Sequence, residues 1–195
     1  MIESRLRHLL KENDLHAELS ADFGAQNPAG RGHLREAIAR HLRTLLGPLT
    51  TEEEAQIRDL SRPLTRVRGR GISISHTRGL GGFLSAPRAC GFDVEMVSRV
   101  NEKAVARVSK PAELRSAPSP AHLWTAKEAA YKAFGSFDDV SLLSRIETVN
   151  WSPLDKDSRS GIFQAKNLSD SSSPSGLGCV IESEIYLIAA FLFLP

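Results

Sequence analysis

The chain has 195 residues, 41% hydrophobic and 25% charged, a composition that suits a globular protein able to bury a core in one domain or two small lobes. Its 25 lysines and arginines against 23 acids leave a formal charge of +2; this excludes the broad positive excess of a nucleic-acid-coating protein, and 6% aromatic residues leave little for base stacking. Cys90 and Cys179 stand alone, with no CxxC pair and no histidines at zinc-ligand spacing, which excludes a disulfide scaffold and fits a reduced, cytoplasmic protein.

The N-terminal MIESRLRHLLKEND carries charges among its apolar positions and reads as an amphipathic helix rather than a signal peptide. Over 32–46, Leu34, Ile38, Leu42 and Leu45 recur at helical spacing, and Gly47-Pro48 ends the run; Arg35, Arg40, His41 and Arg43 make the other faces basic. Thr51 and Glu54 stand at capping-box spacing and open a short helix to about Leu60. In SRPLTRVRGRG the arginines Arg62, Arg66, Arg68 and Arg70 fall mostly two apart, which on one strand would place them on one side.

ISISH, GGFLSA and ACGFDVE read as three short strands of one small sheet, with a tight turn at Pro87-Arg88. Asn101 caps a helical run, NEKAVARVS, and KPAELRSAPSP reads as a proline-rich connection. Ser119-Pro120 starts a helix that Gly135 stops. Strands follow near 146–151, 161–166, 178–182 and 185–194, with a mobile loop at NLSDSSSPSG. The apolar C-terminus is about half the length of a membrane span and reads as a buried strand. The order of elements predicts an α+β fold of two lobes, 1–100 and 101–195, divided near 97–103.

Asp93 and Glu95, at i and i+2 in GFDVE, share one face of a strand, where two converging acids suit a Mg²⁺ ion that also takes phosphate oxygens. A strand with one solvated face shows the same pattern. Trp124, Glu128 and Lys132 follow at i+4 steps along one helix stripe, which an ordinary surface ion pair beside a core tryptophan would also explain. His76 closes a strand before Thr77-Arg78-Gly79, placed either to meet a phosphate or to serve the fold.

Taken together and in this order, ISISHT, GFDVE and WTAKEAAYKAFG resemble the signature of the Sfp-type 4'-phosphopantetheinyl transferases: a Ser-His strand end, a G-hydrophobic-D-hydrophobic-E strand and a W-x-x-K-E-[AS]-x-x-K helix. The resemblance is close over roughly 70–135 and thinner elsewhere. It implies a monomeric pseudodimer of two similar α+β lobes with coenzyme A in the cleft between them. It further implies Mg²⁺ on Asp93 and Glu95, Glu128 as a third ligand or as the base, and Lys132 and His76 on the phosphates, with Ser75 and Lys127 among the coenzyme contacts. Glu113, in SKPAEL, resembles the acid of the family's S-x-x-E segment, a further metal or water ligand, although Arg107 and Val108 replace the usual aromatic residues.

The family's glycine-lysine-proline turn is matched only by Gly69-Arg70-Gly71, so Arg40, Arg43 and Arg70 are the nominees for the 3'-phosphate. The implied partner is an apo acyl or peptidyl carrier protein, acidic around its serine, met by Arg78, Arg88, Lys103 and Arg107; neither nucleic acid nor membrane is expected. Two other readings compete: a coenzyme A-binding homologue that no longer transfers, and a polyanion-binding module built on the arginines between Arg58 and Arg70.

Overall fold

The computed structural model describes residues 6–8, 14–61, 63–135, 142–154, 159–168 and 175–193. Among them, nine strands form two antiparallel sheets. The first contains β1 (His16–Ser20), β2 (Arg66–Val67), β3 (Arg70–Thr77) and β4 (Leu80–Ala86), in the order β1-β4-β3-β2. The second contains β5 (Cys90–Met96), β6 (Ile146–Pro153), β7 (Gly161–Asn167), β8 (Gly176–Ser183) and β9 (Tyr186–Phe193), in the order β5-β9-β8-β7-β6. Mixed α+β architecture is therefore observed. Most of the amphipathic helix expected at the N-terminus, and most of the 167–176 loop, lie outside the described residues.

The helix α1 (Gly30–Leu46) lays Leu34, Ile38 and Leu42 on Ile72 and Phe83 of the first sheet, where α2 (Thr51–Arg58) adds Ile57. Its apolar spacing of three to four residues is what selects this face. Leu84 and Ala86 of β4 meet Phe92 and Val94 of β5 and Ile188 and Ala190 of β9 in a second cluster that joins the two sheets. The short helices α3 (Glu102–Arg107) and α4 (Pro111–Ser116) lead to α5 (Pro120–Phe134), and a single turn, α6 (Leu142–Arg145), precedes β6. Ser119 caps α5, and Gly135 ends it in the left-handed region at φ 77°. The alanines Ala126, Ala129, Ala130 and Ala133 let α5 pack closely on Phe163, Ala189 and Phe191 of the second sheet.

Several expectations are corrected here. ACGFDVE does not join the sheet of ISISH: β5 ladders with β9, its Asp93 opposite Ala189. It touches β3 through side chains instead, the Phe92 N–H donating to Ser73 Oγ at 2.9 Å and Ser75 Oγ donating to Asp93 Oδ1 at 2.8 Å. The serines that alternate with isoleucine in ISIS thus bridge two sheets. The capping box is Thr50 with Glu53, one residue earlier than the spacing suggested. The arginine run does not occupy one strand, because Arg68 and Gly69 form the β2–β3 turn; Arg62 lies outside the described residues. KPAELRSAPSP contains α4, since Pro111 takes the first helical position, where a missing N–H costs nothing.

Candidate active site

Gly91 allows β5 to run against α5 at very short range: a Cβ there would stand 1.7 Å from the Ala129 carbonyl oxygen. This approach brings the acids of GFDVE under the polar stripe of α5. Lys132 Nζ donates to Asp93 Oδ1 at 2.8 Å and to the Phe92 carbonyl at 3.0 Å. The Trp124 indole N–H donates to Glu95 Oε1 at 3.3 Å. The Glu128–Lys132 surface pair that the spacing also allowed is not what the helix builds, because the lysine turns to β5.

Three carboxylates consequently share one partly dry place. Burial pushes the Glu128 carboxyl up to about 7, with Asp93 and Glu95 adding repulsion and Lys132 opposing it. Glu95 is raised for the same reasons, burial first and then Asp93, against the Trp124 hydrogen bond and the cations Lys132 and Arg99. Asp93 is only 3% exposed, and its Oδ2 is buried with no hydrogen-bond partner. An orphaned buried carboxylate oxygen beside two further acids is a donor set that fits a divalent cation. Among the described residues, no three His, Cys, Asp or Glu side chains converge tightly enough to form a ready-made metal centre.

On its other side, Lys132 lines a cavity of about 740 Å³. Arg31, Arg35, Arg66 and His76 supply its polar wall, while Leu64, Ile72, Ile74 and Phe134 are part of an apolar one. Burial, then Arg31 and Lys132, push His76 below the usual imidazole range, so it enters as a neutral ring able to donate one N–H. Burial likewise lowers Arg35, with Arg31 beside it and Asp59 opposing. Such a mixture of cations and apolar surface suits a phosphate-bearing ligand with an apolar or aromatic part.

The structure thus brings together Ser75, His76, Asp93, Glu95, Glu128 and Lys132, and leaves other candidates elsewhere. Glu113 is far from free: its carboxylate takes Lys127 Nζ at 2.9 Å, the Thr148 N–H at 2.9 Å and the Lys110 N–H at 2.8 Å. Lys127 is fully buried and also donates to the Val108 and Ile146 carbonyls, so it faces no ligand cavity. Arg40 pairs with Glu18 at 3.3 Å, Arg43 with Glu54 at 2.7 Å, and buried Arg70 with Asp14 at 2.9 Å; none lines the cavity. The cavity arginines are Arg31, Arg35 and Arg66. Arg35 and Arg66 were visible in sequence only as members of basic runs, and Arg31, between two glycines, carried no signal of its own. Of the cations expected to meet a partner, Arg78, Lys103 and Arg107 are exposed, whereas Arg88 is half-buried and donates to the Phe193 carbonyl at 3.2 Å.

The acid pair under the α5 stripe is also where similarity to known proteins falls. Residues 89–173 match the 4'-phosphopantetheinyl transferase superfamily. The matched stretch holds Asp93, Glu95, Glu113, Lys127, Glu128 and Lys132, and supports a transferase of the phosphopantetheine class. The superfamily match stops short of Ser75, His76 and the cavity arginines, whose assignment rests on position alone. No curated protein matches the chain significantly. No helix among the described residues is long and apolar enough to cross a membrane.

Proposed function

We propose that this protein transfers the 4'-phosphopantetheine arm of coenzyme A to a serine of an apo acyl or peptidyl carrier protein, with Mg²⁺, releasing 3',5'-ADP. One observation carries the reading. Lys132 stands between the Asp93 carboxylate, at 2.8 Å, and a cavity walled by arginines and a histidine, so an anion-binding chamber and a cation-binding acid cluster meet at one side chain.

The cavity would hold the coenzyme, with Arg31, Arg35 and Arg66 replacing Arg40, Arg43 and Arg70 as contacts for its 3'-phosphate and His76 and Lys132 near the pyrophosphate. Asp93 and Glu95 would hold Mg²⁺, with Glu128 beside them; the ion supplies charge neutralisation at the phosphate oxygens. The carrier serine hydroxyl would attack the β-phosphate in line with the departing 3',5'-ADP, a displacement driven by positioning and electrostatics. Glu128, with a carboxyl at about 7, is poised to take the serine proton directly or through one water. A two-lobed reading draws support from a cavity walled by both sheets, with Ile72 of β3 and Phe193 of β9, and β5 then belongs to the second lobe, ahead of a boundary near residue 100.

The test is the intact mass of a purified apo carrier protein after incubation with this protein, coenzyme A and Mg²⁺, beside an EDTA control. A metal-dependent gain of one phosphopantetheine supports the reading. No gain across fatty-acid, polyketide and peptide carriers, together with no calorimetric binding of coenzyme A, would sink it.

A further inference from the structure

The partners of Asp93 are unevenly shared. Oδ1 takes both Lys132 Nζ at 2.8 Å and Ser75 Oγ at 2.8 Å, while Oδ2, equally buried, takes nothing. A carboxylate that is 3% exposed and serves only the fold would have both oxygens satisfied, since an unmet buried acceptor costs about as much as a lost hydrogen bond. Lys132 itself is not locked in. Its side chain is 19% exposed, against 0% for Lys127, and it borders the cavity in which His76 and Arg31 lie. A lysine ammonium on a four-carbon stem can swing between two acceptors with little rearrangement of its helix.

We propose that Lys132 is a displaceable internal counter-ion: it neutralises Asp93 until a divalent cation takes the carboxylate, and the ammonium is then released toward a phosphate in the cavity. This rests on the metal reading above. A divalent cation at Oδ2 would stand beside the ammonium on Oδ1, and the repulsion between them in this buried place sets the divalent cation and Lys132 in competition for Asp93. The same competition gives the site an order, because the full cationic strength of the cavity wall is available only after the acids have been satisfied by another positive charge. Ser75 plays no part in the exchange, being neutral.

Calorimetric titration with Mg²⁺ alone, at pH 8.5 and without coenzyme, separates the possibilities. Lys132→Met, confirmed as folded by its circular dichroism and melting temperature, is expected to bind Mg²⁺ about tenfold more tightly than the unaltered chain, because the competing unit charge is gone. Ser75→Ala, which removes a hydrogen bond but no charge, should not tighten binding. Equal or weaker Mg²⁺ affinity in folded Lys132→Met overturns the counter-ion role while leaving the metal reading standing; a lack of Mg²⁺ binding by both proteins overturns both. A second measurement needs no variant. In lysine side-chain NMR the Lys132 ammonium, held by Asp93 and the Phe92 carbonyl, should lose its exchange protection as Mg²⁺ is added, and protection retained at saturating Mg²⁺ overturns the proposal.

Discussion

Lys127 and Lys132 stand five residues apart on α5, and each meets a buried carboxylate, Glu113 at 2.9 Å and Asp93 at 2.8 Å. Around Lys127 the pair itself is saturated: the ammonium also reaches the Val108 and Ile146 carbonyls, and both Glu113 oxygens are met, by the Thr148 and Lys110 N–H groups as well. Around Lys132 there is surplus capacity, with one Asp93 oxygen unmet and two more acids, Glu95 and Glu128, raised by burial and by the neighbouring Asp93 carboxylate. The lesson is that burial and pairing alone do not mark a functional ion pair. Saturation marks structure, and unsatisfied capacity at the edge of a cavity marks chemistry.

The sharpest way to break the comparison is to remove the structural lysine. Lys127→Ala leaves Glu113 buried without its cation and should cost about 3–5 kcal/mol, most of the stability of a marginal domain. Chemical denaturation measures it, and a loss under about 1 kcal/mol would mean that the pair is not structural. Next comes the packing that creates the second cluster. Gly91→Ala places a methyl 1.7 Å from the Ala129 carbonyl oxygen, and should cost about 3 kcal/mol while also lowering turnover through the displaced Asp93.

Glu128→Gln should lower turnover by about 10² or more while sparing coenzyme A binding. It should also stabilise the protein by about 1–2 kcal/mol at neutral pH without divalent cation. The sign follows from linkage: the folded carboxyl, at about 7, holds its proton more tightly than the unfolded one at 4.5, so its contribution is present below 4.5 and is lost as pH rises through 7. Reduced stability of folded Glu128→Gln under those conditions would contradict the strained-cluster account.

The smallest effect lies where α1 meets the first sheet. His41 stacks on His16 with ring centroids 4.0 Å apart, and burial, then His16 and Arg70, push it down to about 4, with Asp14 opposing. Here the unfolded imidazole, at 6.5, binds the proton more tightly, so stability is full above 6.5 and falls by about 1–2 kcal/mol as pH drops toward 4. The two contributions have opposite slopes in overlapping windows. Denaturation of His41→Phe and Glu128→Gln across pH 4–8 should therefore diverge, the first losing acid sensitivity and the second losing alkaline sensitivity; parallel curves would refute both assignments.

Much of this was already written locally. Helix α5 from Ser119-Pro120 to Gly135, the strands that carry GFDVE and ISISH, and the antiparallel closing strands all follow from caps, periodicity and turn residues, which act over a few positions. The acid pair and the α5 stripe were legible for the same reason, as residues at i+2 and i+4 share a face whatever the surrounding fold. Local rules also erred where one residue decides: Pro111 opened a helix instead of breaking one, and the capping box began at Thr50.

Sequence by itself determined which side chains lie on each face; only the tertiary structure decided which faces meet. That β5 ladders with β9 and not with β3, that Glu113 pairs with Lys127, and that Arg31, Arg35 and Arg66 rather than Arg40, Arg43 and Arg70 line the cavity are all outcomes of contacts between distant segments. Such contacts are selected by packing and by the requirement that every buried charge find a partner, and neither is encoded in the spacing of neighbours along the chain.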